Sequence, residues 1–298
     1  MEMIGRTRIL CIASVGLSVS PAFGGFISIS QLSPFNDGQR TPRISGLAFD
    51  GQQNPWIIDG LSWSMERLNA LNGSVLETYS PQPDPQYNDS LAWSAQTGLF
   101  YTANQFYLYS MGLGSRAIIG PFPLFNFTSL AFDPGGNLWV GVDHNTSAEL
   151  WRVNTSTAQL SFVTSIGVGT QLTALSIDSQ GRFYIAAYDS SANTSSIYSV
   201  NPNTGTALWL TTALVGSNSD PNLVVDFEQQ PGTGRWLAVT EQRSGSGDSF
   251  SFGEITGIAS DNVPEPSYLA PVGLGLLFII FRTRRYLASR AGSSKCRA

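Results

Sequence analysis

The region from Gly25 to Val263 has no cysteine and no lysine, and the whole chain of 298 residues has one histidine, His144. Without thiols this body holds no disulfide and no thiolate metal site, so a cysteine-free domain must be stable through its core alone. With one imidazole, a metal centre would have to be built from carboxylates and carbonyl oxygens. Charge is scarce: 12% of residues are Asp, Glu, Lys or Arg. Long surface helices usually carry many such residues, so they are disfavoured. The body carries eight arginines against 19 acids, a net of −11. An acidic body does not track a phosphate backbone, which argues against nucleic-acid binding. No nucleophile elbow, P-loop or dinucleotide fingerprint is present.

What is there is a repeated phrase. It reads Leu47-Ala-Phe-Asp50, Leu91-Ala-Trp-Ser94, Leu130-Ala-Phe-Asp133, Leu175-Ser-Ile-Asp178 and Val225-Asp-Phe-Glu228. Spacings of 44, 39, 45 and 50 residues point to a propeller or another repeat array. A turn follows each copy, most plainly Asp133-Pro-Gly-Gly-Asn137, and then a second apolar run such as Leu138-Trp-Val-Gly-Val142. Asp bonds back onto such a turn, Pro fixes φ, and Gly supplies the positive φ that hairpin turns need. Third and fourth strands follow, as in Ser196–Val200 and Ala207–Leu210. Four strands per repeat make a propeller blade. The expectation is an all-β fold, a β-propeller of five to six four-stranded blades over residues 25–256, with Phe26–Ser30 adding a strand to the last blade. The phrase and its turn resemble the units of NHL-like and lactonase-like propellers, a resemblance that speaks for architecture.

Within the body the signals for chemistry are thin. His144 is expected to be a polar loop residue. Asp50, Asp133 and Asp178 recur at matched places, and their turns account for them without a ligand. Trp56, Trp139 and Trp236 fall on the same strand of three repeats and are expected to pack between blades.

The two ends carry addresses. Arg6 and Arg8 precede the apolar run Ile9–Val19, then Pro21 and Ala22-Phe23-Gly24. This is the pattern of a secretory signal peptide over residues 1–24, with Ala22 and Gly24 as cleavage positions. After a linker at 257–263 come Pro264-Glu265-Pro266, the uncharged apolar run Tyr268–Phe281, and Arg282, Arg284 and Arg285. The apolar run has 14 residues. As a helix it would measure about 21 Å, against a hydrocarbon core of about 30 Å. It is short for a transmembrane helix unless the arginines snorkel, and they would mark its cytoplasmic side. This tail resembles the PEP-CTERM sorting signal. The resemblance implies a Gram-negative bacterium, recognition of Pro264, Glu265 and Pro266 by an exosortase, and a basic stop at Arg282, Arg284 and Arg285. The signal covers 264–285, and a basic tail at 286–298 continues past the point where such signals normally finish.

The expectation drawn from all this is an exported cell-surface or extracellular-matrix protein. Its body would be a binding or structural module and not an enzyme, with no cofactor. Its partners would be the exosortase, the membrane before processing, and exopolysaccharide or another surface protein. The alternative is an exported lactonase-like hydrolase, with a calcium-dependent form among its variants.

Overall fold

The computed structural model describes residues 25–32, 44–59, 64–79, 90–124, 126–144, 147–215, 222–244 and 247–258. The residues expected to form a signal peptide and a sorting signal lie outside them. Among the described residues no helix is long and apolar enough to cross a membrane.

The body is a propeller of five antiparallel, four-stranded sheets. Five is the lower of the two expected blade numbers. The chain opens with β1 (Phe26–Leu32). Blade 1 follows as β2 (Ile44–Phe49), β3 (Pro55–Asp59), β4 (Met65–Leu68) and β5 (Val75–Tyr79). Blade 2 is β6 (Ala92–Ser94), β7 (Leu99–Ala103), β8 (Tyr107–Gly112) and β9 (Ser115–Pro121). Blade 3 is β10 (Phe127–Phe132), β11 (Leu138–Asp143), β12 (Ala148–Val153) and β13 (Leu160–Ile166). Blade 4 is β14 (Gln171–Ile177), β15 (Phe183–Asp189), β16 (Thr194–Val200) and β17 (Ala207–Val215). Blade 5 is β18 (Asn222–Gln229), β19 (Trp236–Ser244), β20 (Gly247–Ile255) and, outermost, β1. The expected N-terminal contribution to the last blade is therefore what closes the ring.

The first strands β2, β6, β10, β14 and β18 contact one another in sequence order and line the axis. Inner strands are buried on both faces, as β2, β3 and β11 are throughout, whereas the outer β5 is almost wholly exposed. Such inner strands read as continuous apolar runs rather than alternating ones. Gly46 sits where the first strands of blades 1 and 2 come closest. A Cβ there would overlap the backbone nitrogen of Leu91 and lie 2.8 Å from the Leu91 Cβ.

Aromatic pairs seal the blades in a relay. Trp56 meets Phe100 at 5.6 Å between centroids, Tyr101 meets Phe132 at 5.1 Å, Trp139 meets Phe183 at 4.8 Å, and Tyr184 meets Trp236 at 4.6 Å, all edge-on. Each pair joins one blade to the next. This arrangement corrects the expected alignment. Trp56 and Trp139 point forward to the following blade, but Trp236 stands one position earlier on its strand and points back to blade 4. The fifth phrase is displaced too. The closing pair of blade 1 is Phe49 with Pro55, followed by Asp50 N–H to the Asn54 carbonyl; in blade 5 these are Gln229 with Trp236 and Gln230 N–H to Arg235. The bulges agree, after Ile44 in β2 and after Val224 in β18. Phe227, not Val225, thus occupies the place of Leu47.

Gly46→Ala is expected to destabilise the domain at the upper end of the ~1–3 kcal/mol typical of overpacking. Gly167→Ala, where a new Cβ meets nothing within 4 Å, is expected to be close to neutral. Urea denaturation that found the two substitutions equivalent would count against the tight axis.

Candidate functional site

With the register corrected, two rings of equivalent positions appear on the first strands. One holds Gly46, Ser90, Ser129, Ala174 and Asp226. The other, two residues on, holds Ala48, Ala92, Ala131, Ser176 and Glu228. In each ring four blades carry a small side chain and blade 5 carries an acid. Side chains two apart on a strand share a face, so Asp226 and Glu228 stand together on the face of β18 turned to blade 1. Each is paired across the ladder with a residue of the core between blades 5 and 1, Val239 and Leu237 respectively.

Asp226 is buried near the axis and tied to its neighbours. One carboxyl oxygen accepts the Leu47 N–H of blade 1 at 2.9 Å; the other accepts the Phe227 N–H at 3.0 Å. The Ser129 hydroxyl of blade 3 lies 3.4 Å from that second oxygen and donates to the Leu175 carbonyl of blade 4 at 3.1 Å. Burial holds the Asp226 carboxyl well above the usual range, and these hydrogen bonds offset only part of the effect. Glu228 is half-buried. Burial, and next the charge of Asp226, raise it well above the glutamate range as well. Two neighbouring carboxyl groups with raised pKa values are the usual material of acid–base chemistry, though structural networks shift pKa values too.

Asp226 belongs to a wider pattern. The Ser90 hydroxyl accepts Leu130 N–H at 2.7 Å, Asp143 accepts Leu172 N–H at 3.0 Å, and Ser195 accepts Val224 N–H at 3.3 Å. In each case a side chain of one blade satisfies a backbone donor of the next blade's first strand. Left unpaired, such buried N–H groups would be costly.

The matched aspartates have a different use. Asp50 and Asp133 cap their own turns and each accepts an indole N–H six residues on, Trp56 and Trp139, at 2.9 Å. Burial pushes both carboxyl groups up, but the bonds from the indole and from Asn54 or Asn137 outweigh it and hold them below the usual range. Asp178 repeats the arrangement, accepting Arg182 N–H and, at 3.1 Å, the Tyr184 hydroxyl. Blade 5 has Gln230 at that position, and the buried Trp236 indole N–H makes no hydrogen bond among the described residues.

Other candidates lie apart from the axis. His144 is exposed beyond β11, its Nε2 3.3 Å from Glu149, which also accepts the Trp151 indole N–H. Glu66 is raised by burial and by Asp59, but it sits on the third strand of blade 1. An open pocket of about 250 Å³ at the end of blade 5 is lined by Arg235, Trp236, Glu254 and Thr256; its arginine and glutamate bond each other at 2.8 Å. Among the described residues no three His, Cys, Asp or Glu side chains come together to hold a metal ion. Ca²⁺ takes 6–8 oxygen ligands, and a pair of carboxyl groups of which Asp226 already accepts two backbone N–H groups does not supply such a set. Ala22, Gly24, Pro264, Glu265, Pro266, Arg282, Arg284 and Arg285 all lie outside the described residues.

No protein family matches the chain, and no curated relative does. Solved structures do. A glutaminyl cyclase of Myxococcus xanthus aligns with a TM-score of 0.53 at 14% identity, over 79% of this chain and 99% of that one. A PQQ-bound aldose sugar dehydrogenase from Streptomyces coelicolor gives 0.48 at 11%, over 79% and 99%. The calcium-binding protein regucalcin from Agrobacterium tumefaciens gives 0.46 at 12%, over 80% and 96%. At such identities the likeness is one of fold. It still overturns one expectation. The body was expected not to be an enzyme because it lacks a recognisable motif, yet the cyclase is an enzyme on a propeller that aligns along its whole length. The missing motif therefore excludes nothing.

The raised pKa of Asp226 fixes the sign of a test. Its contribution to stability is fully present below the unfolded value near 3.8 and is lost as pH rises through the folded pKa. Asp226→Asn, which keeps an acceptor for Leu47, removes that loss. The difference in Tm between variant and parent should move in the variant's favour from pH 4 to pH 8. A difference constant across that range would contradict the assignment.

Proposed function

We propose that the propeller is an exported hydrolase of the lactonase type, with Glu228 as its acid–base group and Asp226 as the group that tunes it. The observation that carries this reading is the pair itself: two adjacent acids at positions where the other four blades hold small residues. Protonated Glu228 gives its proton to the leaving oxygen of an ester or lactone as water adds to the carbonyl carbon. The carboxylate then recovers a proton from the water that has added. Burial, and next the charge of Asp226, raise Glu228 above the usual glutamate range, which keeps its proton available to this exchange up to higher pH. The fold's use in a glutaminyl cyclase supports catalysis on this architecture without naming the substrate.

The address at the ends belongs to the same proposal. The signal peptide at 1–24 would export the body. The tail at 264–285 would present Pro264-Glu265-Pro266 to an exosortase, with Arg282, Arg284 and Arg285 as the basic stop, and deliver the protein to the cell surface or matrix. The support here is the residue pattern alone.

The enzymatic half is tested by a panel of lactones, aryl esters and aryl glycosides. Hydrolysis should follow a pH profile that falls as Glu228 ionises. Glu228→Gln should lose at least about 100-fold in kcat, the lower end of what a general acid supplies. Asp226→Asn should move the falling limb to lower pH, because the charge that raises Glu228 is gone. No turnover of any substrate, or full activity in Glu228→Gln, sinks the assignment. The address is tested by an epitope after Arg285. It should be lost from the mature protein in an exosortase-positive host and kept in an exosortase-null strain; retention in both would refute the sorting claim.

A further inference from the structure

The five blades share a direction. Every first strand runs from one end of the ring, here the upper, to the other; second and fourth strands run back up, and third strands run down. The two ends differ in chemistry. Eleven large apolar side chains are exposed among the described residues. All but Phe106, Tyr107 and the mid-strand Ile118 lie in the lower half. Leu71 and Leu113 form the tips of the lower turns of blades 1 and 2, 80% and 60% exposed, where a soluble turn would carry a polar residue. Ile27, Leu76, Leu208 and Trp209 lie near the lower ends of outermost strands and are at least half exposed or nearly so.

The arginines follow the same axis. Arg67, Arg116, Arg152, Arg182 and Arg235, one from each blade, all sit toward the lower end. Four lie over aromatic rings, at 6.0 Å from Trp56, 5.3 Å from Tyr109, 5.3 Å from Trp139 and 5.9 Å from Tyr184. Among the described residues three are ion-paired, with Glu77, Asp178 and Glu254, and Asp50 and Asp133 stand at lower turns as well, so the lower end carries no net positive charge. The upper end holds Asp59, Asp143, Glu149, Asp189 and Glu241.

The chain also enters and leaves at the lower end. Thr256 N–H donates to the Gly25 carbonyl at 2.7 Å, and Gly25 N–H donates to the Thr256 hydroxyl at 2.9 Å. The two apolar runs of the sequence, Ile9–Val19 and Tyr268–Phe281, are therefore joined to the propeller from one point, in the place of a lower turn of blade 5. Blades 1 and 2, which bear the leucine tips, come next around the ring.

We propose that the lower end of the propeller lies against a lipid bilayer, with the tips of Leu71 and Leu113 set into the headgroup boundary. Apolar tips flanked by ring-stacked arginines suit that layer, where apolar side chains are buried and guanidinium groups meet lipid headgroups. The upper end then faces away from the bilayer. The placement does not depend on the carboxyl pair and stands whether or not the protein is a hydrolase.

The test uses the full chain reconstituted in vesicles containing about a third anionic lipid, with Cys11 and Cys296 replaced by serine. A polarity-sensitive fluorophore is placed by Leu71→Cys, Leu208→Cys or, at the upper end, Asp189→Cys. The two lower labels should be quenched by a lipid-borne quencher at least about five-fold more than the upper one. Leu71→Asp with Leu113→Asp, both exposed and harmless to the core, should abolish that contrast at Leu208 while the tail still holds the chain on the vesicle. Equal quenching of upper and lower labels by aqueous iodide, with none from lipid, overturns the proposal. So does shielding of the lower labels without vesicles, which would assign the face to a second copy of the chain, and so does a double variant that keeps the contrast.

Discussion

A ring of five sheets keeps its shape only when the last sheet is joined to the first, and here the pairing of β1 on β20 does the joining. The strand that completes blade 5 comes from the other end of the chain, so the ladder between Phe26 and Ile255 at one end and Leu32 and Phe250 at the other ties residues more than two hundred positions apart. Its lower end is fastened by Gly25 and Thr256. With no thiol in the body, hydrogen bonds and packing supply what a disulfide would supply in a smaller exported domain. The fit is close: a Cβ on Gly253 would strike the Ile27 carbonyl and the Phe26 ring, so glycine at that point lets the N-terminal strand dock.

Closure also creates the problem that the axial residues solve. When five first strands meet round an axis, their inner edges have no strand partner. Serines and aspartates of one blade accept the N–H groups of the next, and small side chains leave room for backbones to approach. Asp226 meets the same demand with a carboxyl group where Ser90 uses a hydroxyl. An acid is a costly choice for that task in so buried a place. The excess cost is what marks blade 5 as the blade where structure alone does not explain the residue.

Much of the fold was legible in the residues. Phrases such as Leu130-Ala-Phe-Asp133 and their turns are local signals, fixed by hydrogen bonds within a few residues, and they located the blades and the closing strand. The failures share a cause. In blade 5 the turn runs from Gln230 to Arg235, one residue longer than Asp50 to Asn54, and it lacks the aspartate that anchors the turn in blades 1, 3 and 4. Aligning on Val225-Asp-Phe-Glu228 put an acid where the pattern ends in an acid, and so hid Asp226 and Glu228 in plain sight. The usable signal was the ring of small residues, Gly46, Ser90, Ser129 and Ala174, but it appears only once the bulge after Val224 is known. Bulges depend on pairing between strands, and no periodicity in a single strand reveals them.

The two classes of aspartate also pull the protein in opposite directions with pH. Asp50 and Asp133 are held low, so the stability they contribute is present above their unfolded pKa and is lost as pH falls through the folded one. Asp226 and Glu228 are held high, so their contribution is present in acid and is lost as pH rises. The turns thus work best with their acids charged and the axis with its acids neutral. A propeller built only for rigidity would gain by placing a small residue at the axis, as the other four blades do. Keeping the strained pair in one blade, on the face toward the chain's own closure, is the kind of local cost that functional sites impose on an otherwise consistent fold.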